Sequence, residues 1–171
     1  DVYKRQLIYL AIPCESKNFA SVINSLKKIN CKGLNVTIPF KENIFNLCEK
    51  VSPIAKQVKA INTVKLNENR EWDGTNTDVE GLLYPLKKLT FKKELGIVLG
   101  SGGAARSAVQ GLINLGIKNI YIVSRNKNSL KILINDFKRQ KLINGFYVNE
   151  FNLKDTINKA DIIINTTPVG M

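Results

Sequence analysis

The chain contains no histidine, so any proton it moves near neutral pH must pass through Lys, Asp, Glu, Tyr or Cys. Ser-His-Asp catalysis, Cys-His catalysis and histidine metal sites are excluded. Three clusters hold usable groups beside polar side chains suited to a hydroxylated ligand. Gly33-Leu34-Asn35-Val36-Thr37-Ile38-Pro39-Phe40-Lys41 packs Asn35 and Thr37 into a strand that ends beside a lysine. Ala60-Ile61-Asn62-Thr63 and Gly74-Thr75-Asn76-Thr77-Asp78-Val79-Glu80-Gly81 add an amide and a carboxylate. Taken singly, Asn62 reads as a turn residue and Asp78 as a helix N-cap. Together with Lys41 they put an ammonium, an amide and a carboxylate in one cleft.

A fourth cluster suits a nucleotide. Gly100-Ser101-Gly102-Gly103-Ala104-Ala105 follows an apolar strand and opens a helix, the context that the G-x-G-x-x-G/A fingerprint requires. Gly100 permits the tight turn, Gly102 lets the backbone approach a pyrophosphate, Ala105 allows close packing of helix on strand, and free N–H groups at the helix start face the anion. About 20 residues on, where an NAD site carries Asp or Glu, the second strand ends Val123-Ser124-Arg125-Asn126, with no carboxylate before Asp136. An arginine there pairs with a 2′-phosphate that a carboxylate would repel, so NADP is favoured over NAD.

Alternating strand and helix patterns must position these groups, which makes the class α/β. The expected order is a buried strand over Leu7–Ile12, then a helix capped by Ser16 with Phe19, Val22, Ile23, Leu26 and Ile29 on one face. A strand over Leu34–Ile38 leads into a helix over residues 40–50. A hairpin joins Ala60–Leu66 to Glu71–Gly74 around Asn67-Glu68-Asn69, and a helix spans Asp78–Leu89 despite Gly81 and Pro85. Two βα units follow: strand Leu95–Leu99, helix Ala104–Leu115, strand Asn119–Val123, helix Ser129–Lys141. Short strands over Phe146–Asn149 and Asp161–Asn165 close the chain. Tyr84 and Lys88 match a Tyr-x-x-x-Lys pair, but they precede the glycine turn and enclose Pro85.

The 171 residues, 44% hydrophobic and 23% charged, suffice for a real core. No apolar run approaches the ~20 residues that span a bilayer, and a soluble cytoplasmic protein is expected, without membrane attachment. Twenty-six Lys and Arg against 14 Asp and Glu give a net charge of +12, which attracts anions. The lysine pairs are spread along helices without interleaved aromatics, so a small-molecule partner is expected and nucleic acid is not. Cys14, Cys31 and Cys48 form no CxxC, and neither a disulfide framework nor a metal site is expected.

The ordered motifs GLNVTIPFK, AINTV, GTNTDVEGL, VLGSGGAARSA and INTTPVGM closely resemble the shikimate dehydrogenase family over nearly the whole chain. The resemblance implies an N-terminal α/β substrate lobe, residues 1–82, and a Rossmann-like doubly wound NADP-binding lobe, residues 83–171, both truncated. It implies that Lys41 and Asp78 are catalytic and that Thr37 and Asn62 join them in holding the substrate. The cofactor would be NADP, bound by Gly100, Ser101, Gly102, Gly103 and Ala104, by Ser124, Arg125 and Asn126 around the 2′-phosphate, and by Thr166 in Asn165-Thr166-Thr167 on the nicotinamide side. Where the family often has a second basic residue this chain has Ser129, so Lys127 or Lys131 would substitute. The implied reaction is reversible NADPH-dependent reduction of 3-dehydroshikimate to shikimate, in a monomer or homodimer. A quinate/shikimate dehydrogenase with relaxed cofactor use, and an inactive NADP-binding or basic nucleic-acid-binding module, are the alternatives. The family's Ser-x-Ser segment and C-terminal glutamine helix are not in this chain, so it is expected to be the middle of a longer enzyme.

Overall fold

The computed structural model describes residues 8–138, 140 and 142–169. Leu7, Lys141, Gly170 and Met171, which belong to expected elements or motifs, lie outside the described residues. Strands β1 (Gly33–Asn35), β2 (Lys50–Val51), β3 (Thr63–Leu66) and β4 (Trp72–Thr75) form one sheet in the order β1-β3-β4-β2. Its β1/β3 and β3/β4 pairs are antiparallel and β2/β4 is parallel. Strands β5 (Leu95–Leu99), β6 (Asn119–Ser124), β7 (Ile143–Tyr147) and β8 (Ile162–Asn165) form a second, all-parallel sheet in the order β7-β6-β5-β8. Successive strands are added toward one edge from β5 to β7 and then on the other side of β5 with β8, and ligands of open α/β sheets settle in the crevice at such a switch point. The helices are α1 (Phe19–Lys28), α2 (Pro53–Val58), α3 (Asp78–Leu86), α4 (Gly103–Leu115), α5 (Lys127–Asp136) and α6 (Leu153–Ile157). None is long and apolar enough to cross a membrane.

The α/β class, the hairpin and the two βα units match the expectation, and β5 has the expected ends. Five local readings are corrected. Ile8–Ile12 is not a buried strand: these residues pair with no strand among the described residues, and Ile8 and Tyr9 are 85% and 81% exposed. An apolar run becomes a strand only against a partner's edge. Residues 40–50 form no α-helix but a short 3₁₀-helix over Asn43–Leu47, because Glu49 N–H bonds Trp72 O and Ser52 N–H bonds Gly74 O, drawing the chain out into β2. Strand β1 stops at Asn35, short of the expected Ile38. Ser16 opens a 3₁₀ turn over Ser16–Asn18 and does not cap α1, while α5 ends at Asp136. Helices α2 and α6 and strand β2 are too short to show a period.

Each sheet has its own apolar cluster. Ile23, Ile44, Ile61, Val64 and Trp72 fill the first, while Val98, Leu112, Ile120, Ile122 and Leu133 fill the second. The second cluster also takes in Val58, Ala60, Val79 and Leu83 from the first half of the chain, so α3 lies directly on α4. Its tolerance of Pro85 follows from position. A helical proline lacks the i to i−4 bond and crowds the carbonyl four residues back, and Pro85 stands one residue before the end of α3 at Leu86, so the disruption is confined to the last turn.

The contact between the halves runs along a stripe of small residues on α4, Gly103, Ser107 and Gly111, one turn apart. A Cβ on Gly103 would stand 2.8 Å from the Lys41 Cβ, and one on Gly111 would stand 2.9 Å from Leu82 Cδ2. The first neighbour is tied to backbone and the second is a free methyl. We therefore expect Gly103→Ala to destabilise by about 1–3 kcal/mol through overpacking. Gly111→Ala should fall within about 1 kcal/mol of neutral, since Leu82 can turn away and alanine favours the helix; urea unfolding of both variants measures the contrast.

Candidate active site

Lys41, Asn62 and Asp78 meet at the corner where α3 leaves β4. The Lys41 Nζ lies 2.8 Å from Asp78 Oδ2, with side chains 18% and 32% exposed, so the pair is sheltered yet reachable by a ligand. Asn62 Nδ2 donates to Asp78 Oδ1 at 2.7 Å and to Thr77 Oγ1 at 2.9 Å. Its Oδ1 accepts from Thr77 N–H at 3.0 Å and from Thr63 Oγ1 at 3.0 Å. The buried amide thus has both ends occupied and holds the carboxylate from the side opposite the lysine. Backbone bonds fix the frame: Val36 N–H to Asn62 O at 2.7 Å and Ile61 N–H to Lys41 O at 2.7 Å. Thr37 is exposed on the loop before Lys41, and its hydroxyl has no hydrogen-bond partner among the described residues.

The glycine turn stands next to this corner. Gly100 has φ +114°, a conformation that favours glycine, and a Cβ there would run into Thr166 Oγ1. Thr166 Oγ1 and N–H both bond Leu99 O, at 2.6 and 2.9 Å, which ties the end of β8 to the turn. A Cβ on Gly102 would meet nothing within 4 Å, so the backbone faces open space. The amides of Gly103, Ala104 and Ala105 have no intrahelical acceptor and sit at the positive end of α4. Free donors, helix dipole and clearance fit a phosphate group.

The remaining expected cofactor residues divide. Ser101 Oγ contacts Ser124 Oγ at 2.7 Å and Ser129 Oγ at 2.6 Å, a hydroxyl cluster joining the turn to the end of β6. Asn126 caps α5 by accepting from Ser129 N–H at 3.0 Å, so its Oδ1 is committed to the helix. Arg125 is exposed beside them. Lys127 points elsewhere, 3.2 Å from Glu150 and over the Tyr147 ring. Lys131 borders a groove of about 490 Å³ over Leu130, Ile134 and Tyr147. That groove excludes Lys41 and Asp78, so charge and hydrogen bonding mark the candidate corner, not the size of a cavity.

Sequence reasoning passed over a second charged cluster beside the first. Arg106, 3% exposed in its side chain, sets Nη1 2.7 Å from Asp136 Oδ2 and Nε 3.2 Å from Glu42 Oε2. Lys59 also pairs with Asp136. Burial pushes the Asp136 carboxyl up, but the hydrogen bonds and charges of Lys59 and Arg106 outweigh it and hold the group below its ordinary value. The only local signal was an arginine one turn from Gly102 and Gly103 as the one charged residue of its helix. Cys48, by contrast, is pushed up to about 11 by burial and by Asp73; it is a neutral thiol at pH 7 and no nucleophile.

A depressed carboxyl stabilises the fold above its ordinary pKa and loses that contribution as pH falls through the lowered value. The stability gap between the unmodified protein and Asp136→Asn should accordingly be full above about pH 5, on the order of 3 kcal/mol for a broken buried pair. It should close on acidification below about pH 4, as read by urea unfolding across pH.

Comparison with known proteins bears on the same residues. The family model described as "Shikimate dehydrogenase substrate binding domain" matches residues 3–64, and that described as "Shikimate / quinate 5-dehydrogenase" matches residues 86–169. The chain is 59% identical over 165 residues to a shikimate dehydrogenase (NADP(+)) of Prochlorococcus marinus strain MIT 9312, covering 96% of this chain and 58% of the relative. It thus spans a little over half the length of the curated relatives it matches. The crystal structure of the Aquifex aeolicus shikimate dehydrogenase superposes with a TM-score of 0.77 at 33% identity, over 92% of this chain and 56% of that one. The Listeria monocytogenes shikimate 5-dehydrogenase in complex with shikimate and NAD gives 0.75 at 28% identity, over 96% and 59%. With a family model on each half and the same relatives matching across both, the chain belongs to the shikimate dehydrogenase family.

Proposed function

We propose that the protein catalyses reversible hydride transfer between NADP(H) and the shikimate/3-dehydroshikimate pair, in the cytoplasm, with residues 1–82 binding substrate and 83–171 binding cofactor. The observation that carries this reading is the Lys41–Asp78 pair at 2.8 Å, whose lysine stem rests on Gly103 at the start of the dinucleotide helix. An acid/base group and a phosphate-binding turn therefore share one wall.

When bound, the nicotinamide supplies or accepts the hydride. The residues of this chain do the rest. In the reducing direction Lys41 gives its Nζ proton to the ring oxygen as the carbonyl carbon becomes tetrahedral, so the alkoxide is never released free; in reverse it takes that proton back. Asp78 keeps the ammonium aimed and accepts from a ring hydroxyl. Asn62, already bonded to Asp78 Oδ1, prevents the carboxylate from rotating away. Thr37, whose hydroxyl is free among the described residues, donates to a second ring oxygen. The amides of Gly103 and Ala104 hold the pyrophosphate, and Arg125 holds the 2′-phosphate with charge-assisted hydrogen bonds. The Ser101–Ser124–Ser129 hydroxyls line the ribose side, where the absence of a carboxylate leaves the 2′-phosphate unopposed.

The reading is tested by shikimate-dependent formation of NADPH, followed by absorbance. Lys41→Met should lower that rate by ~10²–10⁴-fold, the usual worth of a general acid, while NADP affinity stays within about twofold. Activity retained in Lys41→Met would overturn the assignment. Arg125→Ala should weaken NADP by ~10–100-fold, the worth of hydrogen bonds to a charged group, and leave NAD unchanged; equal loss for both cofactors would place the 2′-phosphate elsewhere.

A further inference from the structure

Asn76 lies between Thr75, the last residue of β4, and the start of α3, and only 4% of its surface is exposed. A buried amide must satisfy its donors and its acceptor, and how it does so fixes what surrounds it. Asn76 Oδ1 accepts from the backbone N–H of Asp78 at 3.0 Å and of Val79 at 3.3 Å. It therefore does the capping that the residue at the cap position, Thr77, does not do with its own side chain. Asn76 Nδ2 donates to Ala60 O at 3.0 Å and to Ser107 Oγ at 3.0 Å. The Ser107 hydroxyl, 2% exposed, has its one proton within reach of two acceptors, Asn76 Oδ1 at 3.3 Å and Gly103 O at 3.4 Å. Gly103 lies against the Lys41 stem, and Lys41 closes the circuit on Asp78.

We infer that Asn76 and Ser107 are positioning residues that lock the Lys41–Asp78 pair to the glycine turn, so that filling either half of the site orders the other. The inference rests on the proposed function and deepens it. The ring runs from the start of α3 (Asp78, Asn76) to α4 (Ser107, Gly103) and returns through Lys41 on the loop after β1. Besides the Lys41–Asp78 pair, the side-chain hydrogen bond that joins elements in this ring is Asn76 to Ser107, and it is the one that reaches α4. Without that bond Asn76 keeps Ala60 O and its two amide contacts, but its plane is no longer fixed relative to α4. Asp78 then loses its fixed distance from the turn, and effects of misplacement on catalysis are steep. A network that both ligands order makes their binding free energies interdependent, and reciprocally so.

The experiment compares the unmodified protein with Ser107→Ala, and with Ser107→Cys should the alanine variant fail to fold. Amide hydrogen exchange without ligand reads the ring directly. Loss of the Ser107 bond should speed exchange at Asp78 and Val79 about tenfold relative to the β6 amides, which report global opening. Calorimetric titration of NADP with and without saturating shikimate reads the coupling. NADP should bind at least fivefold tighter with shikimate present in the unmodified protein, and the factor should fall to within about twofold of unity in the variant. Unchanged exchange at Asp78 and Val79, a coupling factor that survives the substitution, or its absence in the unmodified protein would each overturn the inference. If neither ligand binds, the proposed function fails and the exchange result alone decides whether the ring holds Asp78.

Discussion

How near one helix lets its neighbours come governs the architecture of the cleft. Lys41 and Asp78 belong to the first half of the chain and the glycine turn to the second, so they can share a wall only if α4 accepts the first half at backbone distance. Small residues at three successive turns, Gly103, Ser107 and Gly111, meet that need, each opposite a different partner: the Lys41 stem, the Asn76 amide and the Leu82 side chain. Close packing of this kind is steep in its steric cost and indifferent to charge, which leaves the polar groups above it free to be chosen for chemistry.

Two ion-pair systems lie within one turn of each other, and their environments separate their roles. Arg106 and Asp136 are almost wholly enclosed, with side chains 3% and 10% exposed. Their charges are mutually compensated, and removing one partner strands the other away from water. The Lys41–Asp78 pair keeps a wetter edge, and Asp78 has Asn62 on its second oxygen. A charge that must meet a substrate has to remain partly unburied, whereas one that joins elements does best when water is excluded. Glu42 follows Lys41 directly in the chain and turns to Arg106, so adjacent residues serve the two systems.

What was legible in the sequence was what local periodicity encodes. Leu95–Leu99 is an apolar run bounded by charge and by glycine, and it forms β5 with those ends; the helix after it shows its buried face at regular spacing. The motif clusters also brought Lys41, Asn62 and Asp78 together, because their residue types are unusual side by side. Readings failed where a distant partner decided the outcome. Residues 40–50 carry helical spacing, but pairing of Lys50–Val51 with Asp73–Gly74 pulls them straight. Ile8–Ile12 is a continuous apolar run with no strand beside it among the described residues. Asp78 looked like an N-cap, yet the capping oxygen belongs to Asn76, whose other contacts lie 16 and 31 residues away. Nothing in the surrounding letters distinguishes Ser107 from an ordinary helical serine.

Val58, Ala60, Val79 and Leu83 come from the first half of the chain and are buried in the cluster of the second sheet. Two sheets therefore do not make two thermodynamic units. Separating the halves between residues 82 and 83 would leave α4 with an uncovered apolar face and strip α2 and α3 of theirs, so neither piece could retain the burial that stabilises the whole. The cooperative unit extends across the seam, and the loss of either sheet should bring down the other in a single transition.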